Sequence, residues 1–185
     1  MIAGFDWDGT LVTSFAAAPL PGAAKRLAAL EPTTKTFIAS NQAGPVFRAV
    51  LRDPKYPTVE QVALNFAGGL AALHWTPDLL MICVAPGKDG DGWARAAEDV
   101  RIALYDTLRA AIGAQLRFWT VYHTPTYRKP APGMLCDAQE LFHSAATIAP
   151  EPMIYIGDLE SDRQAAAAAH ARFVDAAAWR EGAAL

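Results

Sequence analysis

Cysteine is scarce in this chain: Cys83 and Cys136 are the only two among 185 residues, and they lie far apart in apolar surroundings. There is no CxxC pair, and His74, His123, His143 and His170 are scattered. Neither a disulfide framework nor a structural zinc site is expected. The two cysteines read as reduced core residues. No apolar run approaches the roughly 20 residues that a membrane helix needs. The first strand-like run starts at residue 1 or 2, leaving no room for a signal peptide, so a cytoplasmic protein is expected. No GxxxxGK[ST] occurs, and Pro86-Gly87-Lys88-Asp89 is not a P-loop. Cationic excess is missing too. A net charge of −3 argues against strong non-specific binding to nucleic acid, though not against a local basic groove.

What is present is material for a core. Apolar residues make up 52% of the chain and charged residues 19%, which suits one domain over 1–185. Short apolar runs at 1–5, 35–39, 79–85, 116–123, 153–158 and 171–176 read as strands. Helical patterns lie between them. Pro21-Gly22 opens one. Thr58 caps a second, which Gly68-Gly69 weakens or bends. A third runs from 93 to 113, a fourth from Pro132 to Ala146, and a fifth through DRQAAAAAHA. The alternation predicts an α/β, three-layer, Rossmann-like parallel sheet with helices on both faces. About forty residues separate the third strand from Lys129, and a small insert around 86–120 is expected, as a lid or a flank of the site.

In such sheets ligands bind at the carboxyl ends of the strands. Four polar islands fall at strand ends or helix starts: Asp6-Trp7-Asp8-Gly9-Thr10, Ser40-Asn41-Gln42-Ala43-Gly44, Tyr127-Arg128-Lys129-Pro130 and Gly157-Asp158 with Asp162. Residues i and i+2 of an extended chain project to one side, so Asp6 and Asp8 can face one site, and Trp7 faces away. Gly9 lets the backbone turn sharply. Each island alone also fits a plain turn, a helix cap or a solvated loop charge. Together they place four carboxylates in one crevice, where mutual repulsion would keep several protonated. A hard divalent cation such as Mg²⁺ resolves this, because it takes one or two carboxylates and a substrate phosphate oxygen. Ser40 can donate a hydrogen bond to that phosphate and Lys129 a fixed positive charge.

The ordered set FDWDGTLV, IASNQAG, YRKPAPGM and YIGDLESD resembles the haloacid dehalogenase superfamily of phosphohydrolases along the whole chain. The S-N-Q-x-G and R-K-P-x-P-G-M combination is similar to the subgroup with polynucleotide 3′-phosphatases, histidinol-phosphate phosphatases and heptose bisphosphate phosphatases. The resemblance implies a Mg²⁺-dependent phosphomonoesterase. Asp6 would be the nucleophile that forms an aspartyl phosphate. Asp8 would be the general acid and then the general base. The metal would sit on the carboxylates of Asp6 and Asp158 and the backbone carbonyl of Asp8. Ser40 and Lys129 would hold phosphoryl oxygens, and Asp162 would orient Lys129 or the metal's waters. Gly9 and Thr10 would shape the loop, and Asn41 and Arg128 would contact substrate.

The departures matter as well. The Cys/His cluster of the zinc-loop members is missing, so no zinc is expected. The chain between Asp6 and Ser40 holds one helix and a turn, not a large cap domain. An open site leaves two substrate classes, a small phosphorylated metabolite or a 3′-phosphorylated nucleic acid end. A silent binding or regulatory protein, or a phosphotransferase using the same intermediate, are the alternatives. A monomer with no membrane partner is favoured. Trp75, Trp93, Trp119, Tyr122 and Tyr127 fit a core better than base stacking. Arg48, Arg52 and Lys55 fit a solvated face better than a basic rim. His123 fits a surface or structural role as well as a substrate contact.

Overall fold

Six short segments of mostly apolar residues pair side by side: Ile2–Phe5 (β1), Lys35–Asn41 (β2), Leu79–Cys83 (β3), Phe118–Tyr122 (β4), Met153–Gly157 (β5) and Arg172–Asp175 (β6). All pairings are parallel, in the order β4-β3-β2-β1-β5-β6. β1, β3 and β5 are buried along their whole length, as strands covered on both faces must be. The computed structural model describes residues 1–14, 17–143 and 151–185.

Parallel strands need crossovers, and helices supply them. These are Ala23–Ala28 (α1), Gly44–Leu51 (α2), Val59–Leu73 (α3), Asp91–Ile112 (α4), Gly133–His143 (α5), Glu160–Ala168 (α6) and Ala176–Glu181 (α7). Alternate strand residues face opposite layers. Ala3, Phe5, Ile38, Leu80, Ile82 and Ile156 pack with α1, α3, α4 and α7. Ile2, Phe37, Ala39, Met81, Cys83 and Tyr155 pack with α5 and α6. The result is an α/β fold of three layers. Within residues 86–120, α4 lies against α2 and α3, and β4 is the edge strand of the sheet. The last three residues of the helix expected over 132–146 lie outside the described residues.

Four local features differ from the sequence reading. β2 runs two residues beyond Ala39, so Ser40 and Asn41 belong to the strand. α2 was hidden by Gly44-Pro45, which looks like a turn, although proline is well tolerated in a helix's first turn. Likewise α7, capped by Asp175, was not foreseen. Cys136 is exposed on α5, not a core residue, whereas Cys83 is buried. The Gly68-Gly69 pair does not break α3, whose start is fixed by a reciprocal Thr58–Gln61 capping box. Gly69 instead makes room. A Cβ there would lie 2.5 Å from Trp7 Cζ2. That space lets the fully buried Trp7 ring stack on Phe66 at 4.7 Å. Trp7 is therefore a core residue that anchors the segment between the two aspartates.

Candidate active site

The chain builds β1 to β4 outward in one direction, then returns to lay β5 on the other side of β1. The crevice at that reversal, beyond the carboxyl ends of β1 and β5, is where open α/β sheets bind ligands. Asp6 follows β1 and Asp158 follows β5, so both stand at its mouth. Gly9 makes the loop possible. It adopts φ 77°, and a side chain there would collide with the Asp158 carboxylate. Arg180 of α7 holds the same loop, donating to the carbonyls of Gly9 at 3.0 Å and Thr10 at 2.8 Å. Thr10 is buried and its hydroxyl donates to Asp158 Oδ1 at 3.3 Å.

Lys129 is the hub. Its ammonium has three protons to donate and three acceptors around it. These are Asp6 Oδ1 at 2.5 Å, Asp162 Oδ1 at 2.6 Å and Tyr155 Oη at 3.0 Å. The Tyr155 hydroxyl donates in turn to the Ala39 carbonyl at 2.8 Å. The backbone of Lys129 is held by Asn41. Asn41 Nδ2 donates to its carbonyl at 3.0 Å, and the Lys129 amide donates to Asn41 Oδ1 at 3.1 Å. Asp162 is fixed in turn by the Leu159 amide, which donates to its Oδ2 at 3.0 Å. Lys129, Asp6, Asp162 and Ser40 are all buried.

Asp8 sits on the other side. Gln42 Nε2 donates to Asp8 Oδ2 at 2.6 Å and lies 3.0 Å from Ser40 Oγ. One amide thus ties Asp8 to Ser40. These contacts join Asp6, Lys129 and Asp162 in one cluster, Asp8 to Ser40 through Gln42, and Asp158 to Thr10, while Asn41 holds the Lys129 backbone. Arg128 flanks the hub, where it donates to the Ala85 carbonyl at 2.8 Å.

The electrostatics are unbalanced. Four aspartates face one lysine. Burial pushes the Asp6 carboxyl up to about 7, against the pull of the Lys129 ammonium. Burial also raises Asp8, with the Gln42 hydrogen bond opposing it, and raises Asp158, with Asp162 adding to the effect. Burial works against the Lys129 ammonium, yet the Asp6 carboxylate, Tyr155 and Asp162 outweigh it and hold Lys129 well above the usual lysine value. Ligand oxygens of Asp6, Asp158 and Asp162 lie within 4.8 Å of one another. An all-oxygen set of this kind suits a hard cation such as Mg²⁺. Asp158, the exposed member, gives such a cation access.

Several sequence candidates are engaged elsewhere. His123 Nδ1 lies 3.2 Å from Glu98. Trp75 packs edge-on against Phe5, Trp93 against Phe47, and Trp119 on Tyr105, while Tyr122 stacks on Tyr127 at 3.9 Å. Arg48 is a structural clamp, donating to the carbonyls of Pro54 at 2.8 Å and Tyr56 at 2.7 Å. Three site residues were missed. Tyr155 looks like any aromatic in a buried strand, and Arg180 comes from a helix that was not foreseen. Gln42 lies within the IASNQAG motif and was the one that could have been found.

No protein-family model matches the chain, and neither does any curated protein. Among solved structures the chain is similar to D,D-heptose 1,7-bisphosphate phosphatase from B. bronchiseptica, complexed with magnesium and phosphate. The identity is 18%, the match covers 94% of this chain and 78% of that one, and the TM-score is 0.42. It is also similar to glycerol phosphate phosphatase from Mycobacterium tuberculosis. The calcium complex matches at 18% identity over 93% of this chain and 64% of that one, with a TM-score of 0.38. The magnesium complex matches at 15% identity over 93% and 66%, with a TM-score of 0.39. The chain spans about two thirds of the length of that second protein.

Proposed function

We propose that the chain is a Mg²⁺-dependent phosphomonoesterase of the haloacid dehalogenase type, working through an aspartyl phosphate on Asp6. The observation that carries this reading is the setting of Asp6. A buried carboxylate lies 2.5 Å from a buried lysine, beside two further aspartates, at the switch point of a parallel sheet. As a structural ion pair this is poor design, since desolvating the charges costs several kcal/mol. As a site for a dianionic phosphoryl group and a divalent cation it is coherent.

Asp6 and Asp158, with the backbone carbonyl of Asp8, would hold Mg²⁺. The bound ion would offset the excess of carboxylate charge and that of the phosphoryl oxygens. An Asp6 oxygen attacks phosphorus, and the bond from phosphorus to the alcohol oxygen breaks as Asp8 gives that oxygen its proton. Burial favours the protonated Asp8 that this step needs. A water then attacks the same phosphorus, Asp8 takes its proton back, and the Asp6–phosphorus bond breaks to release phosphate. Lys129 and Ser40 hold the phosphoryl oxygens. Ser40 accepts from Gln42 and keeps its own proton for that purpose. Asp162 and Asn41 hold Lys129 in place, Gly9 and Thr10 shape the loop, and Arg128 would contact the substrate. The substrate is a phosphorylated small molecule.

The test is hydrolysis of phenyl phosphate. Release of phosphate in millimolar Mg²⁺ that stops in excess EDTA is the expected result. No release with Mg²⁺, or release unchanged by EDTA, would contradict the proposal.

A further inference from the structure

We infer that the alcohol part of the substrate is an uncharged polyhydroxyl group of sugar size, bound in a cavity between the 53–57 loop and α3. This rests on the phosphatase reading and adds the substrate class. The cavity has a volume of about 500 Å³, and Asp8 and Gln42 lie in its wall. Ligand cavities fall in the range of about 300–1,000 Å³. Since Asp8 is the residue that protonates the leaving oxygen, a cavity opening from Asp8 is where the leaving alcohol must go.

The walls are built rather than loose. The two Arg48 hydrogen bonds pin the loop carbonyls, Tyr56 stacks on Phe47 at 5.3 Å, and the capping box fixes Thr58 to Gln61. Their chemistry is selective. Lys55 is the single cationic side chain among the described lining residues, and Asp53 already pairs with it at 2.8 Å. With Asp8 also in the wall, nothing else among the described lining residues compensates a second phosphate or a nucleic acid backbone, which requires a basic track. Tyr56 is the single aromatic ring among the described lining residues. Phe47 stacks on the Tyr56 ring and Lys55 Nζ lies 5.0 Å over it, so that ring is already engaged. What remains is amide chemistry. Gln42, Gln61 and Asn65 line the cavity, and Asn65 Oδ1 is buried with no hydrogen-bond partner among the described residues. Side-chain amides both donate and accept, and hydroxyl groups are their natural complement.

The experiment compares kcat/KM for phenyl phosphate, glycerol 3-phosphate, ribose 5-phosphate, glucose 6-phosphate, fructose 1,6-bisphosphate, thymidine 3′-monophosphate and a 3′-phosphorylated oligonucleotide. A polyol or sugar monophosphate should lead the bisphosphate, the nucleotide and the oligonucleotide by about tenfold or more, the low end of the discrimination that a pocket achieves between analogues. In Asn65→Leu the lead of that monophosphate over phenyl phosphate should shrink by about tenfold, chiefly through KM. Leu64 is 67% exposed at the cavity, so Leu64→Lys tests the charge argument on a position that tolerates change. It should move the preference towards the bisphosphate. No turnover of phenyl phosphate would remove the phosphatase reading and this inference together. Turnover of phenyl phosphate with the bisphosphate or the oligonucleotide in the lead would overturn this inference alone. So would variants that leave the ranking unchanged.

Discussion

Lysine and carboxylate meet at both ends of this sheet, in opposite circumstances. At the carboxyl end Lys129 is 4% exposed and lies between Asp6 and Asp162, themselves buried. At the amino end Lys35 donates to Glu151 at 2.8 Å, and the amino group of Met1 approaches the same carboxylate at 2.9 Å. That second cluster is open to water, so it costs little to form and contributes little. Cations outnumber anions there, two to one. The buried cluster has the opposite excess and is expensive to assemble. A fold that keeps such a cluster is holding capacity for a cationic and an anionic ligand, and this difference is the main physical argument for a catalytic site at the carboxyl end.

Substitutions at the two ends should therefore diverge. Asp6→Asn should lower kcat by about 10⁴-fold or more, as loss of a nucleophile does, with its thermal midpoint close to the parent's. A variant that unfolds instead would make the pair structural. Lys129→Met leaves Asp6 and Asp162 buried without their counter-charge. Urea unfolding should register a loss of about 3–5 kcal/mol, the cost of breaking a buried pair from one side. Mg²⁺ at about 100 times its dissociation constant should stabilise the protein by about 2.7 kcal/mol. That gain should vanish in Asp158→Asn and survive in Glu151→Gln, and an equal gain in both variants would place the ion elsewhere.

The smallest effect belongs to Glu151. The Lys35 hydrogen bond and the Met1 amino group hold its carboxyl down at about 2, from an ordinary 4.5. A depressed carboxyl pKa contributes stability above its unfolded value and loses it as pH falls. The slight advantage of the parent over Glu151→Gln should be present above about pH 4.5, fall as pH drops, and be gone only below about pH 2. A difference that stays constant across this range would show that the ion pair contributes nothing.

The sequence revealed the parts of the site that are spelled in short spacings. Asp6 and Asp8 stand two apart after an apolar run, so their shared side of the strand was readable. Asp158 and Asp162 were readable in the same way, at a strand exit and one turn on. Lys129 could be named, with Asp162 as a residue that would orient it, but not its contact with Tyr155, which lies 26 residues away in a strand that shows only burial. Asn41 shows a similar limit. Its residue type suggested a substrate contact, while its amide spends both groups on the Lys129 backbone, a pairing across 88 residues. The order of strands and helices followed from period and punctuation. α2 was lost because Gly-Pro signals a turn and a helix start equally well. Trp7, between the two acids, made sense only once Gly69 was seen to make room for it.

Asp6 is the residue proposed to carry the phosphoryl group. Acid quenching during turnover, reduction with borohydride and peptide mass spectrometry test it directly, because borohydride converts an aspartyl phosphate to homoserine. Homoserine at position 6, dependent on both substrate and Mg²⁺, is the expected product. Turnover that leaves Asp6 unmodified, with the mark on another aspartate or on none, would contradict it.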